Sequence, residues 1–146
     1  MDYAWLSARD ALAIHEEQLA EHGGADGVGD AGLLESALAR PQNLLAYGNP
    51  DFADLAAAYA AGVARNHPFV DGNKRTAWML AVVFLDLNGF DLEADIIDAL
   101  QAMLALAEGR IEETAFAAWM RPQVKPQQSC GPHALSPRGP SRLRRW

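Results

Sequence analysis

An uncharged and largely apolar run of ten residues, Thr76 to Leu85, places the strongest limit on how this chain can fold. The run lies within a predicted helix from about Asn73 to Leu87, which Asn88-Gly89 ends. A helix that is apolar on nearly every face must be surrounded by other helices. The run has only about half of the ~20 residues that a membrane-spanning helix needs, so we expect no membrane segment.

Five further helices are predicted from capping residues, apolar spacing and Gly or Pro stop signals. They run from Ser7 to Gly23-Gly24, from Asp30 to Pro41, from Asp51 to Asn66-His67, from Asp95 to Gly109, and from there to just before Pro122. Residues 90–93 are too short to support a sheet, and no longer stretch alternates convincingly. The expected fold class is therefore all-α, a bundle of about six helices around a central hydrophobic helix.

Two connecting segments are candidates for a binding site. Gly27 to Gly32 matches the dinucleotide fingerprint G-x-G-x-x-G, but a helix precedes it where that motif requires a strand, so an ordinary loop is predicted. Residues 41–50 predict either an irregular connector or a flap over a substrate.

His15, on the apolar stripe of the first helix, is expected to be a packed or hydrogen-bonded core histidine. The apolar face predicted for the helix after Asp95 comprises Ile96, Leu100, Met103, Leu104 and Ala107.

Charged and small residues are unevenly distributed along the chain. Residues 1–121 hold all 19 Asp and Glu but only 7 Lys and Arg, a net charge of −12, which argues against sequence-independent nucleic-acid binding. In residues 122–146, 10 of 25 residues are Pro, Gly or Ser, and 5 are cations. This composition predicts a disordered basic tail after a single domain formed by residues 1–121.

The cysteine content and the start of the chain bear on its location. The single Cys130 excludes an internal disulfide, and residues 1–5 lack the charged and apolar regions of a signal peptide. We therefore expect a cytoplasmic protein.

Nine residues around the start of the central helix, His67 to Arg75, concentrate a base, a carboxylate, an amide and two cations. Two cations in the first turn of a helix are unfavourable unless an anion lies among them, because the helix N-terminus carries roughly half a positive charge. Phosphate is the commonest anion at such sites, and Gly72 lets the backbone approach it closely. The motif therefore predicts a phosphate-binding site.

Each polar side chain of the motif suits nucleotide chemistry for its own reason. His67 precedes a proline, so it leaves helical geometry, and it can accept a proton near neutral pH. Asp71 can hold Mg²⁺ on phosphate oxygens, while Asn73 can bond those oxygens and Lys74 and Arg75 can neutralise them. A second hypothesis is a non-catalytic module whose anion hole holds a phosphorylated or acidic peptide, although pure anion binding does not need His67.

The motif HPFVDGNKR, residues 67–75, resembles the H-x-F-x-[D/E]-[G/A]-N-[G/K]-R loop of the Fic/Doc family, and within it the death-on-curing (Doc) toxins of type II toxin–antitoxin systems. Residues 33–41 and Trp5-Leu6 also look like Doc proteins, and the similarity covers about residues 3–120. The resemblance implies a bundle of about six helices with the motif between two central ones. It also implies that the base is His67, the magnesium ligand is Asp71, and the phosphate cradle consists of Gly72, Asn73, Lys74 and Arg75.

The same resemblance implies a reaction and a partner. Doc toxins transfer a phosphate group from ATP to a hydroxyl of elongation factor Tu and so arrest translation. An antitoxin of the Phd type restrains them by laying its C-terminal segment in a groove of the toxin. The self-inhibitory pattern of the family, [ST]-x-x-x-E-[GN], appears nowhere in this sequence, so inhibition is expected from a separate chain.

One residue bears most directly on which group is transferred. Adenylylating Fic enzymes carry Gly where this chain has Lys74, and a long side chain is expected to obstruct the Fic placement of the phosphates, leaving the γ-phosphate presented. Lys74 therefore favours a kinase. Pro68 and Gly72 look more like the Fic version of the loop, so transfer of AMP to a protein hydroxyl stays open as the alternative.

Overall fold

The computed structural model describes residues 3–127, and they form six α-helices and one small sheet. The elements in chain order are α1 (Ala8–His22), α2 (Ala31–Tyr47), α3 (Phe52–Asn66), α4 (Asn73–Leu87), β1 (Phe90–Leu92), α5 (Ile96–Ala107), α6 (Glu113–Met120) and β2 (Val124–Pro126). A 3₁₀ turn, Arg121–Gln123, joins α6 to β2. The prediction of a six-helix bundle is confirmed. Within the described range, no helix is long and apolar enough to cross a membrane.

Helices α3 and α4 pack side by side at the centre of the bundle, and every residue of α3 from Leu55 to Ala64 is buried. Helix α4 is buried from Thr76 to Val82, as its apolar run predicts. The alanine-rich sequence of α3 lets its neighbours approach closely: a Cβ built at Gly62 would lie 3.0 Å from the Cβ of Ala37 in α2. This closely packed helix pair carries the motif, because residues 67–72 join α3 to α4.

Four of the predicted caps are confirmed. Ser7, Asp30, Asp51 and Asp95 lie immediately before α1, α2, α3 and α5, and each side chain accepts a hydrogen bond from a backbone N–H of the first turn. These N–H groups have no partner inside their own helix, so the caps stabilise the helix starts.

The predicted end of α2 at Pro41 is wrong, since the helix continues to Tyr47 and forms neither a connector nor a flap there. A proline inside a helix removes one hydrogen bond and costs about 3 kcal/mol or more. Pro41 is buried, however, and it continues the stripe of Leu34, Ala37 and Leu38 on which α2 packs, with Leu45 one turn further on. Burial of this stripe offsets the lost backbone hydrogen bond, so the helix continues beyond Pro41.

The expectation that residues 90–93 cannot support a sheet is also wrong. Strand β1 pairs antiparallel with β2, with Phe90 opposite Pro126 and Leu92 opposite Val124. The side chain of Gln127 donates to the Phe90 carbonyl at 3.2 Å and to the Asp86 carbonyl at 3.0 Å. Residues 122–127 of the predicted tail therefore pack on the helical domain, because residues 124–126 form a strand that pairs with β1. The rest of that predicted tail lies outside the described residues.

Helix α5 buries only part of the predicted face: Met103 is buried and Ala107 packs against the core, as predicted. Ala99, Met103 and Leu106 are buried, whereas Ile96 and Leu100 are 45% and 41% exposed. Almost every residue of this helix is apolar, so the periodicity of its sequence does not single out one face. Leu100 consequently lies at the surface, where it borders the motif.

Candidate active site

The motif begins at the end of α3, where His67 adopts a left-handed conformation with φ 50° and ψ 57°. It is the one non-glycine residue with a positive φ in the range 3–127. Its N–H still donates to the Val63 carbonyl at 3.1 Å, which completes the last turn of α3. The predicted departure from helical geometry before Pro68 is confirmed, and it leaves the exposed imidazole beside the cleft described below.

The connector between α1 and α2 holds the motif loop from outside. The Pro68 carbonyl accepts hydrogen bonds from Gly29 N at 2.8 Å and Asp30 N at 3.1 Å, and Val70 N donates to the Gly27 carbonyl at 3.0 Å. The segment that matches the dinucleotide fingerprint is therefore a loop, as predicted. Its hydrogen bonds to the motif were missed, since backbone pairing between distant loops leaves no pattern in the sequence.

His15 and Phe69 hold the loop from inside. The Phe69 ring is buried and stacks on the His15 ring, with a centroid separation of 3.9 Å and an interplanar angle of 10°. His15 is only 2% exposed, and its Nε2 lies 2.7 Å from the Asp71 carbonyl oxygen. The prediction of a packed and hydrogen-bonded core histidine is confirmed, and its partner is the motif itself.

The Asp71 carboxylate is exposed, and it accepts two backbone hydrogen bonds. Oδ1 accepts from Gly72 N at 2.8 Å, and Oδ2 accepts from Ala25 N at 3.3 Å. These N–H groups, helped by the nearby charge of Arg75, hold the pKa of the carboxyl below its ordinary value. Asp71 is therefore ionised at neutral pH, and each of its oxygens keeps a lone pair for a further ligand.

Helix α4 begins without a side-chain cap. Gly72 precedes it in the left-handed conformation, with φ 75°, which glycine adopts without steric cost. Lys74 and Arg75 lie in the first turn, and neither has an ion pair with another residue of the described chain. The positive end of α4 and both cations are therefore available to an anion.

These groups line an open cleft of about 370 Å³. All six predicted site residues line it, and Val70 and Leu100 complete its wall: His67, Val70, Asp71, Gly72, Asn73, Lys74, Arg75 and Leu100. The structure thus brings a base, an ionised carboxylate and two cations to one concave surface. Its volume falls within the range of small-molecule sites, about 300–1,000 Å³.

The donor set fits a magnesium ion that arrives with a nucleotide. No group of three or more His, Cys, Asp or Glu side chains in residues 3–127 is arranged to hold a metal ion by itself. Mg²⁺ in nucleotide sites commonly uses one or two carboxylates and completes its shell with phosphate oxygens and water. Asp71 supplies one ionised carboxylate of this kind, beside cations that suit the phosphates.

Comparison with known proteins agrees with this geometry. A family model described as Fic/DOC family matches residues 5–85, which is more than half of the chain. The chain therefore belongs to the Fic/DOC family, as the resemblance of its motif predicted. The match ends within α4, so it contains the whole of the motif and the connector that holds it.

Two curated relatives are members of the Doc group by name. The chain is 53% identical over 76 residues to Toxin Doc of Mycolicibacterium smegmatis (strain ATCC 700084 / mc(2)155), a match that covers 50% of this chain and 58% of that protein. It is 32% identical over 117 residues to Protein kinase doc of Escherichia phage P1, a match that covers 80% of this chain and 92% of the phage protein. The chain thus spans less than two thirds of the mycobacterial relative and nearly all of the phage relative.

Proposed function

We propose that this chain is the toxin of a toxin–antitoxin pair and a protein kinase, which transfers the γ-phosphate of ATP to a Ser or Thr hydroxyl of a translation factor resembling elongation factor Tu. The observation that carries the proposal is the convergence of an imidazole, an ionised carboxylate and the cation-bearing start of α4 on one open cleft. An anion-binding module would need the cations but not the imidazole. The name of the phage relative, Protein kinase doc, supports the same reaction.

His67 acts as the general base in this proposal. Its ring stands at the edge of the cleft on an exposed turn, where the imidazole can accept a proton from a hydroxyl group bound in the cleft. The acceptor oxygen bonds to the γ-phosphorus as its proton passes to His67. The bond from that phosphorus to the bridging oxygen breaks, and ADP leaves.

The first turn of α4 binds the phosphates. Lys74 supplies a compact positive charge and Arg75 a planar fork, and the backbone N–H groups of the uncapped helix start add donors of fixed direction. The carboxylate of Asp71 would hold Mg²⁺, and the bound ion would offset negative charge on the phosphate oxygens.

Transfer of AMP is the second candidate, because Pro68 and Gly72 look like the Fic version of the loop. Lys74 lines the cleft from the first turn of α4, and we propose that its long side chain obstructs the Fic placement of the phosphates and so favours transfer of the γ-phosphate. We expect Lys74→Gly to lose transfer of the γ-phosphate. Lys74→Ala is the matched control, because it also removes the charge of Lys74 but does not weaken the helix as glycine does.

A separate antitoxin chain is part of the proposal, and the name of the relative Toxin Doc supports such a partner. The resemblance of the motif to Doc toxins implies that this antitoxin is of the Phd type. A translation factor is the proposed target of the toxin. Incubation of purified elongation factor Tu with the protein, Mg²⁺ and ATP, followed by peptide mass spectrometry, is expected to find one hydroxyl carrying a phosphate group. An unmodified elongation factor would contradict this choice of target.

Calorimetry separates the enzyme from a non-catalytic module. The enzyme is expected to bind ATP more tightly when Mg²⁺ is present, and Asp71→Asn is expected to remove most of that difference while ATP binding without metal persists. Binding of a phosphorylated peptide without any affinity for ATP would contradict the enzyme.

A further inference from the structure

His15 makes two contacts with the motif, although it does not line the cleft. It lies in the middle of α1, almost fully buried, and it is absent from the residues that line the cleft. Its Nε2 is 2.7 Å from the Asp71 carbonyl oxygen, and its ring stacks on Phe69. A Cβ built at Gly72 would lie 3.7 Å from the same nitrogen, so the ring rests directly against the turn before α4.

The chemistry of the acceptor defines the tautomer of His15. A backbone carbonyl can only accept a hydrogen bond, so Nε2 must carry the hydrogen and donate it. The buried Nε2 donor is costly to leave without a partner. The contact therefore fixes the carbonyl of Asp71 more strictly than apolar packing alone would.

The peptide unit between Asp71 and Gly72 is held at both ends. Its carbonyl accepts from His15, and its N–H donates to Oδ1 of the Asp71 side chain. Since the peptide bond is planar, fixing the carbonyl also fixes the direction of that N–H. The N–H in turn sets the orientation of the carboxylate, so His15 controls an exposed group that it does not touch.

We propose that His15 is a positioning residue for the active site: it orients the Asp71–Gly72 peptide and thereby aims the Asp71 carboxylate into the cleft and sets the start of α4. The effect on catalysis rests on the proposed function, whereas the effect on the loop does not. Residues that orient a metal ligand from behind typically change affinity or activity by about 10- to 100-fold when they are replaced.

Two substitutions separate the hydrogen bond from the packing. His15→Phe keeps a ring that can stack on Phe69 but loses the donor, and His15→Gln keeps an N–H donor of similar reach but loses the ring. Gln18→Leu is the matched control, because Gln18 is also buried on α1 and its side-chain amide has no hydrogen-bond partner within the described residues. It perturbs the helix without removing a hydrogen bond to the motif.

The first measurement is amide hydrogen exchange in the protein without nucleotide or metal. His15→Phe is expected to accelerate exchange in residues 69–73 roughly tenfold, the order expected for one lost buried hydrogen bond. His15→Gln and Gln18→Leu are expected to stay close to the wild type. Wild-type protection in His15→Phe, or equal acceleration in Gln18→Leu, would overturn the proposal.

The second measurement is kinetic. His15→Phe is expected to raise the KM for Mg·ATP by about 10-fold or more, with most of this effect reversed in His15→Gln. A histidine that only fills the core would lower the amount of active protein and leave KM unchanged, and that result would contradict positioning.

A measurement on the wild type covers the case in which His15→Phe does not fold. Nuclear magnetic resonance of protein with ¹⁵N-labelled histidine is expected to show a slowly exchanging hydrogen on Nε2 of His15, whereas a hydrogen on Nδ1 alone would overturn the assignment. If the wild type transfers no group at all, the proposed function fails. The exchange and resonance results would still decide whether His15 holds the loop.

Discussion

The side-chain amide of Asn73 closes the motif loop onto the backbone of Phe69. Nδ2 donates to the Phe69 carbonyl at 3.0 Å, and Oδ1 accepts from Phe69 N at 3.0 Å. The second N–H of the amide remains to donate to a phosphate oxygen. Asn73 therefore has a structural task at the start of α4 in addition to the phosphate contact proposed for it.

Replacement of Asn73 tests this closure. Asn73→Ala leaves the N–H and the carbonyl of Phe69 without their partner, so the free energy of unfolding is expected to fall by about 1–3 kcal/mol. Asn73→Asp keeps an acceptor for the N–H and is expected to lose less. Urea denaturation of the three proteins measures the difference, and wild-type stability in Asn73→Ala would show that the loop closes without this amide.

The general base is best tested with His67→Asn. Asparagine tolerates the left-handed conformation that His67 adopts, so the backbone is preserved while the imidazole is removed. Transfer of the phosphate group is expected to slow by about 10²- to 10⁴-fold, the usual contribution of general-base catalysis. ATP affinity, measured by calorimetry, is expected to stay within a few-fold of the wild type. Transfer at the wild-type rate would remove His67 from the mechanism.

The glycine pair at the end of α1 offers a matched test of the carboxylate position. Gly23 and Gly24 both have positive φ, 77° and 129°, so alanine strains the backbone at either position. Only at Gly24 would the new Cβ meet the motif, 2.8 Å from Oδ2 of Asp71, while nothing lies within 4 Å at Gly23.

Both alanine variants are therefore expected to be less stable, by about 1 kcal/mol from the backbone strain. Gly24→Ala alone is expected to weaken Mg²⁺-dependent ATP binding, because Asp71 must move away from the new methyl group. Equal ATP and Mg²⁺ affinities in the two variants would show that the position of this carboxylate does not matter for binding.

An ion pair remote from the cleft makes stability depend on pH. The Arg121 guanidinium donates two hydrogen bonds to Asp51 and lowers the pKa of that carboxyl from 3.8 to about 2. A carboxyl whose pKa is lower in the folded state contributes stability above its ordinary pKa and loses it as pH falls toward the folded value. Both side chains are about two-fifths exposed, so solvent screening keeps the contribution at about 1 kcal/mol or less.

Arg121→Met is expected to lower the free energy of unfolding at pH 7, and the difference from the wild type is expected to shrink between pH 4 and pH 2. Arg9→Met provides the control, because Arg9 is exposed and has no ion pair with other described residues. A pH-independent difference for Arg121→Met would mean that the methylene groups of Arg121, and not its charge, stabilise the fold.

The features that depend on interactions between residues close in sequence were predicted correctly. The caps at Ser7 and Asp51 and the limits of α4 follow from hydrogen bonds and apolar spacing within a few residues. The motif was also predictable, because its groups are neighbours in sequence and lie in a short turn and one helical turn. Proximity in the chain therefore guaranteed proximity in the fold.

Contacts between distant segments were not predictable in the same way. Pro41 stays helical because of a buried stripe, and β1 pairs with a strand more than thirty residues later. The hydrogen bond from His15 to Asp71 joins residues 56 positions apart. Each of these contacts depends on how distant elements pack against one another, and no periodicity in a single sequence indicates such packing. The left-handed His67 could have been suspected, since the helix must end before Pro68.

The most direct test of the proposed reaction uses ATP labelled on either the γ- or the α-phosphate, incubated with cell extract and the wild-type protein or His67→Asn. The wild type is expected to transfer the γ-label to a protein of the extract and to leave the α-label in free nucleotide, while His67→Asn transfers neither at a comparable rate. Transfer of the α-label alone would contradict the kinase and assign this cleft to adenylyl transfer.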